Sequence, residues 1–477
     1  YEFAGGYEAT LQGGYNRLRA NWIRSFGLTP LGYWFSRDPQ DSRDTSYEFR
    51  ITSPGDQRIT WLLGANYYRQ KFIQSGAGGD AVWLCFSGTP GRPYGAACPA
   101  GAAANFFTSN NLLQNTDRVS TVGYFAAVNV DILDTLKLSL EGRQQRDSAK
   151  SAILTATPVR IDTDEFLPRG ILSWQPTEST NLYASWSKGV LPGIINAQVA
   201  AATANELRQY QQQAPTATPI VPGDELKMYE IGIKQQFLDG RAYVNLAYYQ
   251  GDWKNQKGRQ TAVVFEDCRF PPPTQTLAQC PNGPNGQPAI QPNTRNVNVA
   301  GSSELKGVEL ESALLVSEGW DVRATLTWAK SEYEDFLFNF VTPIAGFAQM
   351  KGNSNARFPE WSGSLSSGYT APLQGDWNWF VNADASYTGK AYVDESNLAQ
   401  CDSYVLANAR GGVENSSSGL RVELFVRNLA DNDAWASCAR WTDFDGAPSI
   451  FQLTTFQGVA VAPLNPRQYG LRASFKF

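Results

Sequence analysis

The 477-residue sequence contains no histidine. That removes the side chain most often used as a general base and as a metal ligand near neutral pH. Charge of either sign is balanced, with 40 Lys+Arg against 45 Asp+Glu and a net of −5, so neither a nucleic-acid footprint nor a polyanionic tail is present. No stretch approaches the roughly 18 to 20 continuous apolar residues that a spanning helix needs. If the chain crosses a membrane, it does so as strands. The six cysteines include no C-x-x-C pair, which leaves a metal site without its usual donors. The chain opens at Tyr1 without an initiator Met or a signal-peptide pattern, and so reads as a mature piece or a fragment.

What is present is alternation. In the terminal stretch Tyr469, Leu471, Ala473, Phe475 and Phe477 fall on one face of a strand, and Gly470, Arg472, Ser474 and Lys476 on the other. Leu136, Leu138 and Leu140 interleave with Lys137, Ser139 and Glu141. Val322, Ala324, Leu326 and Trp328 interleave with Arg323, Thr325 and Thr327, and Val422, Leu424 and Val426 with Arg421, Glu423 and Arg427. Val244, Leu246 and Tyr248 interleave less cleanly with Asn245, Ala247 and Tyr249. One face suits lipid and the other a wet lumen. Read this way the chain holds about 17 strands, the first two at 7–11 and 15–26.

Connections sort into two classes. Short turns are expected at 12–14, 54–56, 131–134, 175–179, 238–240, 317–319, 374–376 and 416–419, most of them rich in turn-forming residues. Longer segments alternate with them: 27–44, 73–115, 149–165, 188–225, 266–296, 334–360, 393–402 and 429–468. An outer-membrane barrel has short periplasmic turns and long outside loops, whereas a soluble sandwich has no reason to segregate them. Every cysteine falls in a long segment: Cys85 and Cys98 in one, Cys268 and Cys280 in another, Cys401 and Cys438 in the last two. Such a distribution favours disulfides in an oxidising compartment, with the connectivity open. Aromatic or basic residues in these segments, Trp83, Tyr94, Phe106, Phe107, Trp435, Arg440 and Trp441, suit either packing around the disulfides or contact with an anionic or aromatic solute. No catalytic constellation, phosphate loop or cofactor pattern emerges.

The run Glu225-Leu226-Lys227-Met228-Tyr229-Glu230-Ile231-Gly232-Ile233-Lys234, followed by Phe237-Leu238-Asp239-Gly240-Arg241 and Asn245, resembles a hairpin of TonB-dependent outer-membrane receptors. Asn181-Leu182-Tyr183-Ala184-Ser185-Trp186-Ser187-Lys188-Gly189, Lys306-Gly307-Val308-Glu309-Leu310-Glu311 and Phe425-Val426-Arg427-Asn428-Leu429 resemble the same family in order. Upstream of Asn181 only the pattern of strands and loops carries the likeness. The Phe-terminated last strand, with Tyr469, Leu471, Phe475 and Phe477, resembles the segment that the barrel assembly machinery recognises.

The resemblance implies an all-β fold, a transmembrane antiparallel β-barrel of about 22 strands around an N-terminal plug. No segment of residues 1–477 reads as that plug. With 17 strands and a last strand that runs down to the periplasm, the first would also run down and correspond to the sixth of a full set, with about five strands missing. The expectation is an incomplete barrel domain over 1–477 with an unpaired edge near residues 7–26.

The function the resemblance implies is active uptake of a scarce solute, by default a ferric siderophore, in the outer membrane of a Gram-negative cell. Expected partners are the TonB complex acting through the plug, the barrel assembly machinery, outer-membrane lipid and a small-molecule solute. A passive porin and a soluble β-rich enzyme or carbohydrate-binding protein are the competing readings.

Overall fold

A computed structural model describes residues 1–3, 5–25, 35–78, 113–152, 158–266, 291–441 and 458–476. Strands dominate it, in chain order β1 (Glu8–Ser25), β2 (Phe35–Thr52), β3 (Ile59–Gly78), β4 (Leu113–Leu133), β5 (Leu136–Ala152), β6 (Val159–Thr177), β7 (Thr180–Leu191), β8 (Ile194–Ile195), β9 (Ile220–Val221), β10 (Asp224–Phe237) and β11 (Ala242–Glu266). The series continues with β12 (Gln291–Ser317), β13 (Trp320–Asp335), β14 (Trp361–Gln374), β15 (Trp377–Thr388), β16 (Ala391–Tyr392), β17 (Gln400–Cys401), β18 (Tyr404–Asn415), β19 (Leu420–Arg427), β20 (Trp435–Trp441), β21 (Gly458–Pro463) and β22 (Gln468–Phe475). No helix among the described residues is long and apolar enough to cross a membrane.

Sixteen strands form one antiparallel sheet in the order β1-β2-β3-β4-β5-β6-β7-β10-β11-β12-β13-β14-β15-β18-β19-β22. Each pairs with its neighbours along the chain, and β8–β9, β16–β17 and β20–β21 are small hairpins outside the wall. The wall does not close: β1 pairs with β2 alone and β22 with β19 alone, so the open edge expected near residues 7–26 is present. The first residues fold back onto that edge, with Tyr1 and Ala9 exchanging backbone hydrogen bonds at 2.8 Å.

Two expectations about this edge are corrected. Residues 12–14 do not turn; 7–11 and 15–26 belong to one strand whose ladder runs without a break from Glu8↔Thr52 to Ser25↔Phe35. Gly13 and Gly14 read as a turn because glycine punctuates so many turns. Here Gly13 stays extended and the Tyr47 ring covers it, 3.4 Å from where a Cβ would sit. The wall therefore has 16 strands rather than 17, so β1 and β22 run in opposite directions, not the same one.

The two faces separate as the alternation predicts. Leu172, Ile231, Leu246, Leu326, Leu365, Leu424 and Leu471 are exposed on the apolar face, Leu471 by 68%. The other face carries cross-strand polar pairs: Thr121 donates to Asp147 at 2.6 Å and Asn245 to Glu311 at 3.1 Å. Tyr249, which blurred the pattern of β11, is explained by its neighbour: its ring lies over Gly307, 2.6 Å from the position of a Cβ there.

Connections 53–58, 134–135, 178–179, 238–241, 318–319, 375–376 and 416–419 are tight and lie at one end of the wall. At 318–319, Gly319 has φ +78° and a Cβ there would meet the Thr370 carbonyl at 2.0 Å, so glycine alone fits. At the opposite end β2, β3, β6 and β12 run well past the predicted strand ends, into segments expected as loops. Beyond the apolar belt both faces are polar, and the period-2 signal that locates a strand disappears.

The apolar face is testable. In lipid vesicles, Leu326→Lys should lower the unfolding free energy of the intact protein by about 2–4 kcal/mol if the residue faces hydrocarbon. Thr325→Lys, on the polar face, should cost about 1 kcal/mol or less. Equal effects at the two positions would contradict the face assignment.

Candidate functional site

Loops on a rigid scaffold are where recognition is placed, and here the loops at one end pack against each other. The connection from β7 to β10 is folded. A helix, Ala204–Gln213, starts at a capping box in which Thr203 Oγ1 accepts from Glu206 N at 3.2 Å and Glu206 Oε2 accepts from Thr203 N at 2.6 Å. Its Tyr210, with Ala214 and Ala217, enters a buried core with Ala262, Val297 and Val299 of the β11–β12 hairpin and with Phe336, Phe338, Val341 and Met350. Met350 is fully buried. The base of this cap is a buried ion pair, Lys257 to Asp224. Lys257 also donates to Pro192 O at 3.0 Å, and Asp224 accepts from Trp253 Nε1 at 3.2 Å.

A second group joins the last loops. Cys401 and Cys438 form a disulfide between β17 and β20. Beside it the buried Asp394 carboxylate pairs with Arg440 and accepts from Ser396 Oγ at 2.6 Å. Asn397 ties this group to the 336–360 connection: its Oδ1 accepts from Ser354 N at 2.7 Å and its Nδ2 donates to Ser354 O at 2.9 Å. Asn353 Nδ2 adds a bond to Glu395 O at 2.9 Å. Asn339 Nδ2 reaches Gln212 O of the helical cap at 3.4 Å. The two groups thus form one continuous surface. Burial pushes the Glu395 carboxyl above its ordinary value, the Asp394 carboxylate adds to the rise, and Arg357 and Arg440 only partly oppose it.

Of the residues singled out from sequence, Arg440 is buried in this network. Trp435 is exposed at the start of β20, and Trp441 ends that strand, its side chain outside the described residues. Trp83, Tyr94, Phe106, Phe107, Cys85, Cys98, Cys268, Cys280 and Phe477 also lie outside them. Tyr469, Leu471 and Phe475 stand exposed along β22. The sequence reading missed Asp394, Asn397, Asp224 and Lys257, single polar residues with no motif around them. It also missed the helix, whose Thr203-x-x-Glu206 spacing was a usable signal. Among the described residues no group of three or more Cys, Asp or Glu side chains is placed to hold a metal ion.

Two outcomes check this network. Asp394→Asn leaves Arg440 buried without its countercharge, a loss of about 3–5 kcal/mol. Phosphine reduction of Cys401–Cys438 should then be faster in the intact protein; an unchanged rate would count against the ion pair as the clasp. For Glu395 the folded loops favour the protonated form, so stability falls as pH rises from the ordinary glutamate range through the raised value. Glu395→Gln should slow hydrogen exchange of residues 391–401, corrected for intrinsic rates, at about pH 7.5 and not at about pH 4. Equal exchange at both pH values would refute the burial effect.

Comparison with known proteins follows the same lines. The family described as "TonB dependent receptor-like, beta-barrel" matches residues 1–429. The ferripyoverdine receptor of Pseudomonas aeruginosa is 22% identical over 211 residues, 44% of this chain and 21% of that protein. Among solved structures, the ferric yersiniabactin uptake receptor of Yersinia pestis aligns with a TM-score of 0.65 at 14% identity, over 98% of this chain and 58% of its own. The ferric preacinetobactin receptor of Acinetobacter baumannii aligns with a TM-score of 0.66 at 14% identity, over 100% and 61%. This chain thus spans about a fifth of the curated relative and about three-fifths of the solved receptors. At such identities the structural likeness shows the fold, and the family match carries the assignment: the chain belongs to the TonB-dependent receptor β-barrel family.

Proposed function

We propose that this chain is barrel wall and loop surface of an outer-membrane receptor for TonB-dependent active uptake of a scarce solute, a ferric siderophore by preference. The observation that carries the reading is the loop end of the wall. There the connections are folded, share a buried core and are clasped by a disulfide and a buried ion pair. A surface organised in this way suits selective capture, whereas a passive pore needs only an open vestibule. The similar proteins, receptors for ferripyoverdine, ferric yersiniabactin and ferric preacinetobactin, support the siderophore class.

On this reading the apolar face meets lipid in the outer membrane of a Gram-negative cell. The terminal strand would be the segment presented to the barrel assembly machinery. The polar face would surround a plug through which TonB acts. The chemistry belongs to transport rather than catalysis.

The intact receptor, expressed in a Gram-negative strain stripped of its own siderophore receptors, should restore growth under iron chelation with at least one siderophore of a hydroxamate, catecholate and carboxylate panel. Radiolabelled iron uptake should fall to background when TonB is deleted. Uptake that persists without TonB would instead identify a passive pore, and no uptake with any of the panel would remove the siderophore assignment.

A further inference from the structure

The polar face of β18, β19 and β22 holds a groove of about 350 Å3. Its floor is the Arg421–Glu423–Arg472 group, in which Glu423 takes both arginines at 3.2 Å. Its roof is the 464–466 segment, which Asn428 holds by donating from Nδ2 to Asn465 O at 3.0 Å. Phe425 stands in the middle, its ring over Gly470, 2.2 Å from where a Cβ would sit. Only a glycine in β22 leaves the ring room to lie there.

Two guanidinium groups lie near that ring, and a third arginine stands opposite it on the neighbouring strand. Arg427 lies 5.2 Å and Arg472 5.8 Å from its centroid, and Arg410 is the residue paired with Phe425 across the β18–β19 ladder. Arg472 is neutralised by Glu423. Arg410 and Arg427 line the groove with no ion-pair or hydrogen-bond partner among the described residues. The remaining carboxylate in the groove, Asp384, accepts from Asn408 Nδ2 at 2.7 Å. The lining arginines Arg410, Arg427 and Arg472 outnumber the lining carboxylates Asp384 and Glu423, so the groove keeps a positive excess beside an aromatic face and suits an anion. Guanidinium forks bind carboxylate or catecholate oxygens in pairs, and a flat ligand can stack on Phe425 and the guanidinium planes. The volume is at the small end for ligand sites, enough for one substituted ring.

We propose that this groove binds an aromatic oxyanion, a carboxylate or catecholate carried on a single ring, as part of the solute taken up. The inference deepens the receptor reading and rests on it for the solute's origin, while the binding itself is a property of the wall. The probes are 2,3-dihydroxybenzoate and salicylate, with cyclohexanecarboxylate as the non-aromatic control, titrated calorimetrically into the intact receptor in detergent micelles. Both aromatic anions should bind more tightly than the control. Arg410→Gln together with Arg427→Gln should weaken them about tenfold or more, and the Lys substitutions by less. Phe425→Leu should reduce the preference for aromatic over cyclohexane anions.

Aromatic anions that fail to bind, or that bind the double Gln variant as well as the unaltered receptor, overturn the proposal. A double variant that melts at a lower temperature but binds the probes unchanged also overturns it, because the arginines then serve a segment of the receptor itself. Siderophore uptake is scored separately. Uptake without probe binding removes the groove and keeps the receptor reading, and probe binding without uptake of any siderophore does the reverse.

Discussion

Hydrocarbon offers no water to a backbone N–H or C=O, so a chain that spans a membrane as strands must satisfy every one of them from a neighbouring strand. Most other features of this molecule follow from that requirement. The ladder from β1 to β22 is continuous along the chain order. Each strand between β1 and β22 is bonded to the strands before and after it in the wall, and tight turns at one end keep successive strands adjacent. Once the backbone is committed to the ladder, the side chains are free to differ by face. Leu326 and Leu424 can face lipid while Thr325 and Glu423, one residue away, lie on the polar face among polar and charged partners.

The polar face has its own packing rule. Large rings sit over glycines of the next strand: Phe125 over Gly64, Tyr183 over Gly232, Tyr249 over Gly307 and Phe425 over Gly470. Each pair lets an aromatic lie flat along the wall instead of standing into the bore, and Tyr183 then reaches Glu230 with its hydroxyl at 2.5 Å. The wall stays smooth where glycine permits. It is charged where arginine and carboxylate fail to cancel, and the groove around Phe425 is such a place.

The loop end obeys different physics. Beyond the membrane water is present, so the ladder is no longer obligatory and the connections can fold as small soluble units with a core of their own. The Met350 and Phe336 core, the Lys257–Asp224 pair and the Cys401–Cys438 bridge are devices of that kind. They hold the connections in one arrangement, so that the conformational entropy of ordering them is lost on folding.

How much of this was legible in the residues follows from range. Alternation is a property of neighbours, so Val422, Leu424 and Val426 against Arg421, Glu423 and Arg427 disclosed both faces of β19, and the turns with their alternating long connections disclosed the topology. Gly13-Gly14 misled because the conformation of a glycine is set by what lies across from it, here Tyr47. By itself, then, the sequence determined strand order, the lipid and water faces and the end at which the loops gather. Only the tertiary structure decided that Cys401 bonds Cys438 across 37 residues, that Arg440 is buried against Asp394, and that Arg427 and Arg472 meet around Phe425. Those meetings depend on the register between strands and the path of the loops, which bring together residues that carry no mark of one another along the chain.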